Sequence, residues 1–206
     1  MQKIVFCNIM MKARLDRFHY KVSGNSTIAF DGEVIFPING VLAKTLNKDD
    51  SVKVVLLKKD DINNNSDRNV VEFMRELNII NKDIGAAIDY KVLSTPHDES
   101  RDIQEKLLKE MIGELTDGEA VYADITYGPK SMPIIVFSVL NFAEKFFNAD
   151  IKNIVYGKVD FDKNNNPVNP ELFDMTPLFY LNSLANTFTC NDSEQAKKLL
   201  DSILSV

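Results

Sequence analysis

Asp124-Ile125-Thr126-Tyr127-Gly128-Pro129-Lys130-Ser131-Met132-Pro133 joins an apolar, strand-like run to an apolar, helix-like run through a Gly-Pro loop. Gly128 has no Cβ, so its backbone can come close to a ligand. Free amides at a helix start, helped by the Thr126 and Ser131 hydroxyls, suit phosphate oxygens. Lys130 adds a positive charge at the same point. The same residues also make a plain strand–helix turn with Ser131 as its cap. Physical chemistry alone leaves both readings open.

Outward from this stretch, strands and helices alternate. Ile4-Val5-Phe6-Cys7 is a short apolar run of the kind buried on both faces of a sheet. Residues 52–57, 88–93, 120–125 and 153–159 read as further strands. Helical spacing appears over residues 38–46 and 131–147, and along Val70, Phe73, Met74, Leu77 and Ile80, with Ser66 or Asp67 as the cap. It recurs at Ile103, Leu107, Met111 and Leu115 in residues 99–115, and again over 178–185 and 193–204. Alternation of this kind predicts an α/β, Rossmann-like fold, a mostly parallel sheet with helices on both faces. Phe18, Tyr20 and Val22 alternate with polar residues, and Asp31-Gly32 is a turn signal, so a β-hairpin insertion is expected over residues 17–36. Residues 160–170, rich in asparagine, read as a long turn. The expected organisation is one domain over 1–170, with residues 171–206 as a helical extension packed on it. Open parallel sheets bind ligands beyond the carboxyl ends of their strands. That directs attention to residues 8–14 and 126–131.

Composition narrows the function. A chain of 206 residues can bury a core without staples. Its net charge of −6 argues against broad binding of duplex nucleic acid, which needs a dominant positive field. A small basic pocket for a compact anion remains compatible with that balance. The two cysteines, Cys7 and Cys190, have no Cys or His at zinc-ligand spacing, and no metal site is expected. There is no secretory pattern and no run of about 20 apolar residues, so a cytoplasmic location away from membranes is expected.

The 124–133 segment resembles the Asp-Ile-Thr-His-Gly-Phe-Arg-Ser-Leu-Pro pattern of CARF (CRISPR-associated Rossmann-fold) domains. Leu115-Thr116-Asp117-Gly118-Glu119 before it, Asn141 and Glu144 after it, and Asn153-Ile154-Val155-Tyr156-Gly157 fit the same likeness. So does Asp174-Met175-Thr176-Pro177-Leu178, similar to the family's Asp-Leu-Thr-Pro-Leu. Tyr127 stands where the family has His, and Lys130 where it has Arg. Tyr127 keeps the ability to stack or donate but loses imidazole acid–base chemistry; Lys130 keeps charge but loses the bidentate fork.

The resemblance implies a homodimeric sensor of cyclic oligoadenylate in type III CRISPR defence, with cyclic tetra-adenylate first among the ligands and no cofactor. Asn8, Met10 and Met11 would then lie near the bases. Thr126, Tyr127, Gly128, Pro129, Lys130 and Ser131 would hold ribose and phosphate. A fused or separate effector would be the partner. The alternative it implies is a metal-independent ring nuclease, in which a ribose 2′-hydroxyl attacks the adjacent phosphate and Lys130 and Thr126 stabilise the charge. No HEPN ribonuclease motif is found, since the Arg14–His19 spacing falls in the first loop. An unrelated doubly wound nucleotide-binding protein is a third class, but Gly-x-Gly-x-x-Gly and the P-loop pattern are both missing.

Overall fold

The computed structural model describes residues 1–204. They divide into two compact units, one over residues 1–176 and one from Pro177 onward. The first unit is built on a seven-stranded sheet. In chain order its elements are β1 (Gln2–Asn8), β2 (Lys21–Ser23), α1 (Pro37–Thr45), β3 (Ser51–Lys59), α2 (Asn65–Ile84), β4 (Ala87–Thr95), α3 (Arg101–Gly113), β5 (Ala120–Asp124), α4 (Ser131–Phe146), β6 (Asp150–Phe161) and β7 (Pro167–Asp174). α5 (Thr176–Thr187) starts at the boundary, and α6 (Ser193–Leu204) lies in the second unit, where none of its residues is buried.

The sheet order is β2-β7-β6-β5-β1-β3-β4. The five strands from β6 to β4 are parallel, β7 is antiparallel to β6, and β2 runs parallel to β7. The chain builds β3 and β4 on one side of β1, then returns to lay β5 and β6 on the other. This is the Rossmann-like arrangement expected, and its strand order reverses between β1 and β5.

Strand side chains alternate between faces, and each face has its own core. On one face Val5, Cys7, Val54 and Leu56 cluster with Phe36, Ile38 and Leu42 of the α1 region and with Phe73 and Leu77 of α2. The intervening Ile4, Phe6, Val55 and Leu57 are just as buried and point the opposite way. Leu107 and Met111 of α3 and Val136 and Leu140 of α4 are buried in the packing of those two helices.

Three local expectations need correction. Residues 17–36 do not form a regular hairpin. Their arms meet antiparallel at one bridge, Phe18 with Val34, and Lys21–Ser23 pairs with β7 instead. A 3₁₀ turn, Ser26–Ile28, interrupts the second arm. Residues 160–170 are not one long turn, because Pro167–Asp174 is a strand. The turn before it is tight: the Asp162 carboxylate accepts from the Asn164 and Asn166 amides, and Asn165 sits at φ 62°. α2 is capped neither by Ser66 nor by Asp67. Asp61 takes the amides of Asn63, Asn65 and Ser66.

Gly157 on β6 marks the tightest crossing near the cleft. A Cβ there would lie 2.6 Å from Pro37 Cγ and 3.3 Å from the Thr126 side chain. Its amide donates to Thr126 Oγ1 at 2.8 Å. The Pro37 ring cannot swing aside, so a methyl group must push β6 and α1 apart. Gly157→Ala is expected to cost roughly 1–3 kcal/mol, the usual range for overpacking, measured as a lowered urea midpoint with an unchanged slope.

Candidate functional site

The reversal of strand order leaves a cleft of about 580 Å³ beyond the carboxyl ends of β1, β5 and β6. That size suits a small-molecule ligand. Met10, Met11, Lys12, Arg14 and Asp16 line it from the loop after β1, and Phe18 and Tyr20 from the following arm. Thr126, Tyr127, Gly128 and Pro129 line it from the loop after β5. Tyr156, Gly157, Lys158, Val159 and Phe161 come from β6, which runs on past β5 paired only with β7.

Each wall is held from behind. The buried Asn69 of α2 donates to the carbonyls of Met10 (2.8 Å) and Lys12 (2.9 Å), and Arg68 donates to Ala13 O. Asp124, wholly buried at the end of β5, takes the Thr126 amide on one oxygen (2.8 Å) and the Ile38 amide on the other (3.2 Å). The start of α1 is completed by buried Glu76, which accepts from the amides of Ile35 and Phe36 and from the Asn39 carboxamide. The loop after β5 and the start of α1 are therefore tied through one carboxylate.

The sequence-derived residues fall into three groups. Met10, Met11, Thr126, Tyr127, Gly128 and Pro129 come together in the lining. Asn8 lies beneath it, with no exposed surface and a carboxamide that finds no hydrogen-bond partner among the described residues. Gly128 overlies it: φ is +95°, and a Cβ at 128 would stand 3.5 Å from Asn8 Cβ. Lys130 and Ser131 lie outside the lining. Lys130 is exposed at the cap of α4, and Ser131 Oγ donates to Glu99 at 2.9 Å. The helix start is also less open to anions than the sequence suggests. The Met132 amide already donates to Pro129 O, and Pro133 has no N–H. Tyr127 turns its hydroxyl inward to Ile35 O at 3.2 Å, with its ring edge-on to Phe36.

Sequence reading missed the β6 wall and the basic residues at the mouth. Lys12, Arg14 and Lys158 face the cleft against one lining carboxylate, Asp16. Arg14 pairs with Asp16 at 2.8 Å and Lys158 with Asp160 at 3.0 Å. The Lys12 ammonium stands 5.9 Å from the centre of the Phe161 ring. The missed signal lay inside the expected strand, where Tyr156 and Lys158 alternate on one face, and in its continuation to Phe161.

Burial sets the electrostatics below the floor. It raises the Asp124 carboxyl to about 6, although the Thr126 and Ile38 amides pull the other way. It pushes the Tyr20 hydroxyl to about 12 and the Tyr127 hydroxyl higher still. Among the described residues, no group of three or more His, Cys, Asp or Glu is placed to hold a metal, and no helix is long and apolar enough to cross a membrane.

No family model matches the chain. It is similar to the CRISPR-associated protein MJ1674 of Methanocaldococcus jannaschii, with 30% identity over 101 residues. The match spans 46% of this chain and 15% of that longer protein, so over part of its length the chain is related to a CRISPR-associated protein.

The buried carboxyl gives the site a pH signature. Folding raises the Asp124 pKa from 3.8 to about 6, so between those values the folded state holds the proton more tightly than the unfolded chain. This favours folding below the unfolded value and is lost as pH rises through about 6. The loss is on the order of 3 kcal/mol. Asp124→Asn cannot titrate. The stability of wild type relative to this variant is expected to fall by that order between pH 4 and 7 in urea titrations; a flat difference would contradict it.

Proposed function

We propose that this chain is a cyclic oligoadenylate-binding sensor domain of the CARF type, serving type III CRISPR antiviral defence in the cytoplasm. The observation that carries the reading is the position of the 124–133 segment. Its Thr126–Pro129 loop forms one wall of a basic cleft at the switch point of a Rossmann-like sheet. Partial similarity to a CRISPR-associated protein supports the same reading. The chemistry agrees with it. Lys12, Arg14 and Lys158 put positive charge around the cleft of a chain whose net charge is −6. Low-dielectric walls strengthen that local field. Gly128 presents bare backbone at the floor, and Met10 and Met11 offer adaptable apolar surface to a base.

A ring with two-fold symmetry is best met by two clefts related by the same axis, so the acting form is a homodimer. Two copies would also bring a second Lys130 and Ser131 near the ligand. We favour binding over ring cleavage. In one copy Lys130, the cation that would stabilise the developing charge, stands outside the lining.

Calorimetry with cyclic tri-, tetra- and hexa-adenylate, followed by chromatography of the products, tests the reading. Saturable binding of cyclic tetra-adenylate to a dimer is expected, and no binding of any ring would refute it. Lys158→Ala is expected to weaken that binding about tenfold, or about 1.4 kcal/mol, with an unchanged thermal midpoint. An equal loss in Lys130→Ala would place the ring across two copies; full affinity in that variant would confine it to the single cleft.

A further inference from the structure

β6 and β7 change register between Lys158 and Asp160. An irregularity of this kind re-aims the side chains beyond it. Tyr156, Gly157, Lys158, Val159 and Phe161 all line the cleft, so both faces of this part of β6 reach its mouth. Phe161 is 52% exposed. Tyr156, the other exposed aromatic on this wall, already stacks on Phe173, with ring centres 6.3 Å apart and planes 25° apart. The Phe161 ring is met by a cation instead: Lys12 Nζ, from the opposite wall, stands 5.9 Å from its centre. No ion pair involves Lys12 among the described residues. The contact therefore spans the mouth of the cleft between the β1 loop and the β6–β7 hairpin.

An exposed ring face and an unpaired ammonium, side by side, are the complementary halves of a nucleotide. The ring offers a π surface to a planar base, and the ammonium offers a charge to the phosphate attached to it. A cation over an exposed ring is held weakly, so a base can displace it. We propose that Phe161 is the base-stacking residue of the cleft, and that Lys12 leaves its ring on binding to take the adjoining phosphate. The assignment rests on the nucleotide-binding reading above and adds to it the residue that grips the base.

The chain contains no tryptophan, so Phe161→Trp introduces a single reporter at the stacking position. Its fluorescence is expected to be quenched saturably by cyclic tetra-adenylate, with affinity equal to or tighter than wild type. Phe161→Ala is expected to bind at least about tenfold more weakly, and Phe161→Leu, which keeps apolar bulk without a π face, nearly as weakly. Thermal melts should match wild type, because the side chain is half exposed. Lys12→Met should lose affinity while retaining the Phe161→Trp quenching when the two are combined.

Adenosine monophosphate and linear tetra-adenylate, titrated in parallel, separate this assignment from the broader reading. If the cyclic rings bind wild type but Phe161→Ala keeps full affinity, the stacking assignment is overturned and the sensor reading stands. If no cyclic ring binds but the linear or mononucleotide probe quenches the fluorescence of Phe161→Trp, stacking stands and the cyclic-ligand reading falls. If no nucleotide alters that fluorescence, the assignment is overturned.

Discussion

The candidate site depends on one buried carboxylate. Asp124 ends β5 with no solvent exposure and accepts one amide on each oxygen, Thr126 N–H and Ile38 N–H. These two bonds fix where the chain goes after the strand and where α1 begins. Burial opposes the charge strongly enough to raise its pKa to about 6, so the group is costly to keep ionised. The two amides offset part of that cost, since a hydrogen bond to a charged group contributes roughly 1.5–3 kcal/mol. Removing either partner would leave a buried polar group unmatched.

From that tie the shape of the cleft follows. Thr126 is held by Asp124 and in turn receives the Gly157 amide, so β5 and β6 are locked side by side where they leave the sheet. Gly157 is bare because Pro37 occupies the space of its Cβ, and Gly128 takes a positive φ directly over Asn8. The orphaned Asn8 carboxamide beneath this backbone is a buried polar cost of about 1–3 kcal/mol. The β1 loop is independently pinned by Asn69 and Arg68, which leaves the side chains at the mouth, Lys12 and Phe161 above all, as the adaptable part of the site.

The parts legible in the sequence are those whose pattern has one cause. Ile4-Val5-Phe6-Cys7 and residues 52–57 read as buried strands because burial on both faces leaves every position but Lys53 apolar, and both strands lie inside the sheet, paired on each side. The 124–133 segment showed the strand–loop–helix order through Gly128 and Pro129. β7 was hidden because Pro167, Asn169 and Pro170 are turn formers, tolerated near a sheet edge where paired β2 is only three residues long. Phe18 and Tyr20 alternate like a hairpin arm, yet their partners come from opposite ends of the chain: Val34 pairs with Phe18, and β7 receives the residues just after Tyr20. Lys130 and Ser131 sit where a motif reading puts them in sequence, but a helix start turns successive residues through about 100°, so neighbours of Gly128 need not share its cleft. Lys12 and Phe161 were illegible because a tertiary contact joins them across 149 positions, and neither belongs to a local pattern.

A crystal structure of the protein grown with cyclic tetra-adenylate tests the central claim most directly. Electron density for the ring is expected in the cleft beyond β1 and β5, with phosphates against Lys12 or Lys158 and the Gly128 backbone beside it. Ordered ligand bound elsewhere on the molecule, with this cleft filled only by water, would contradict it.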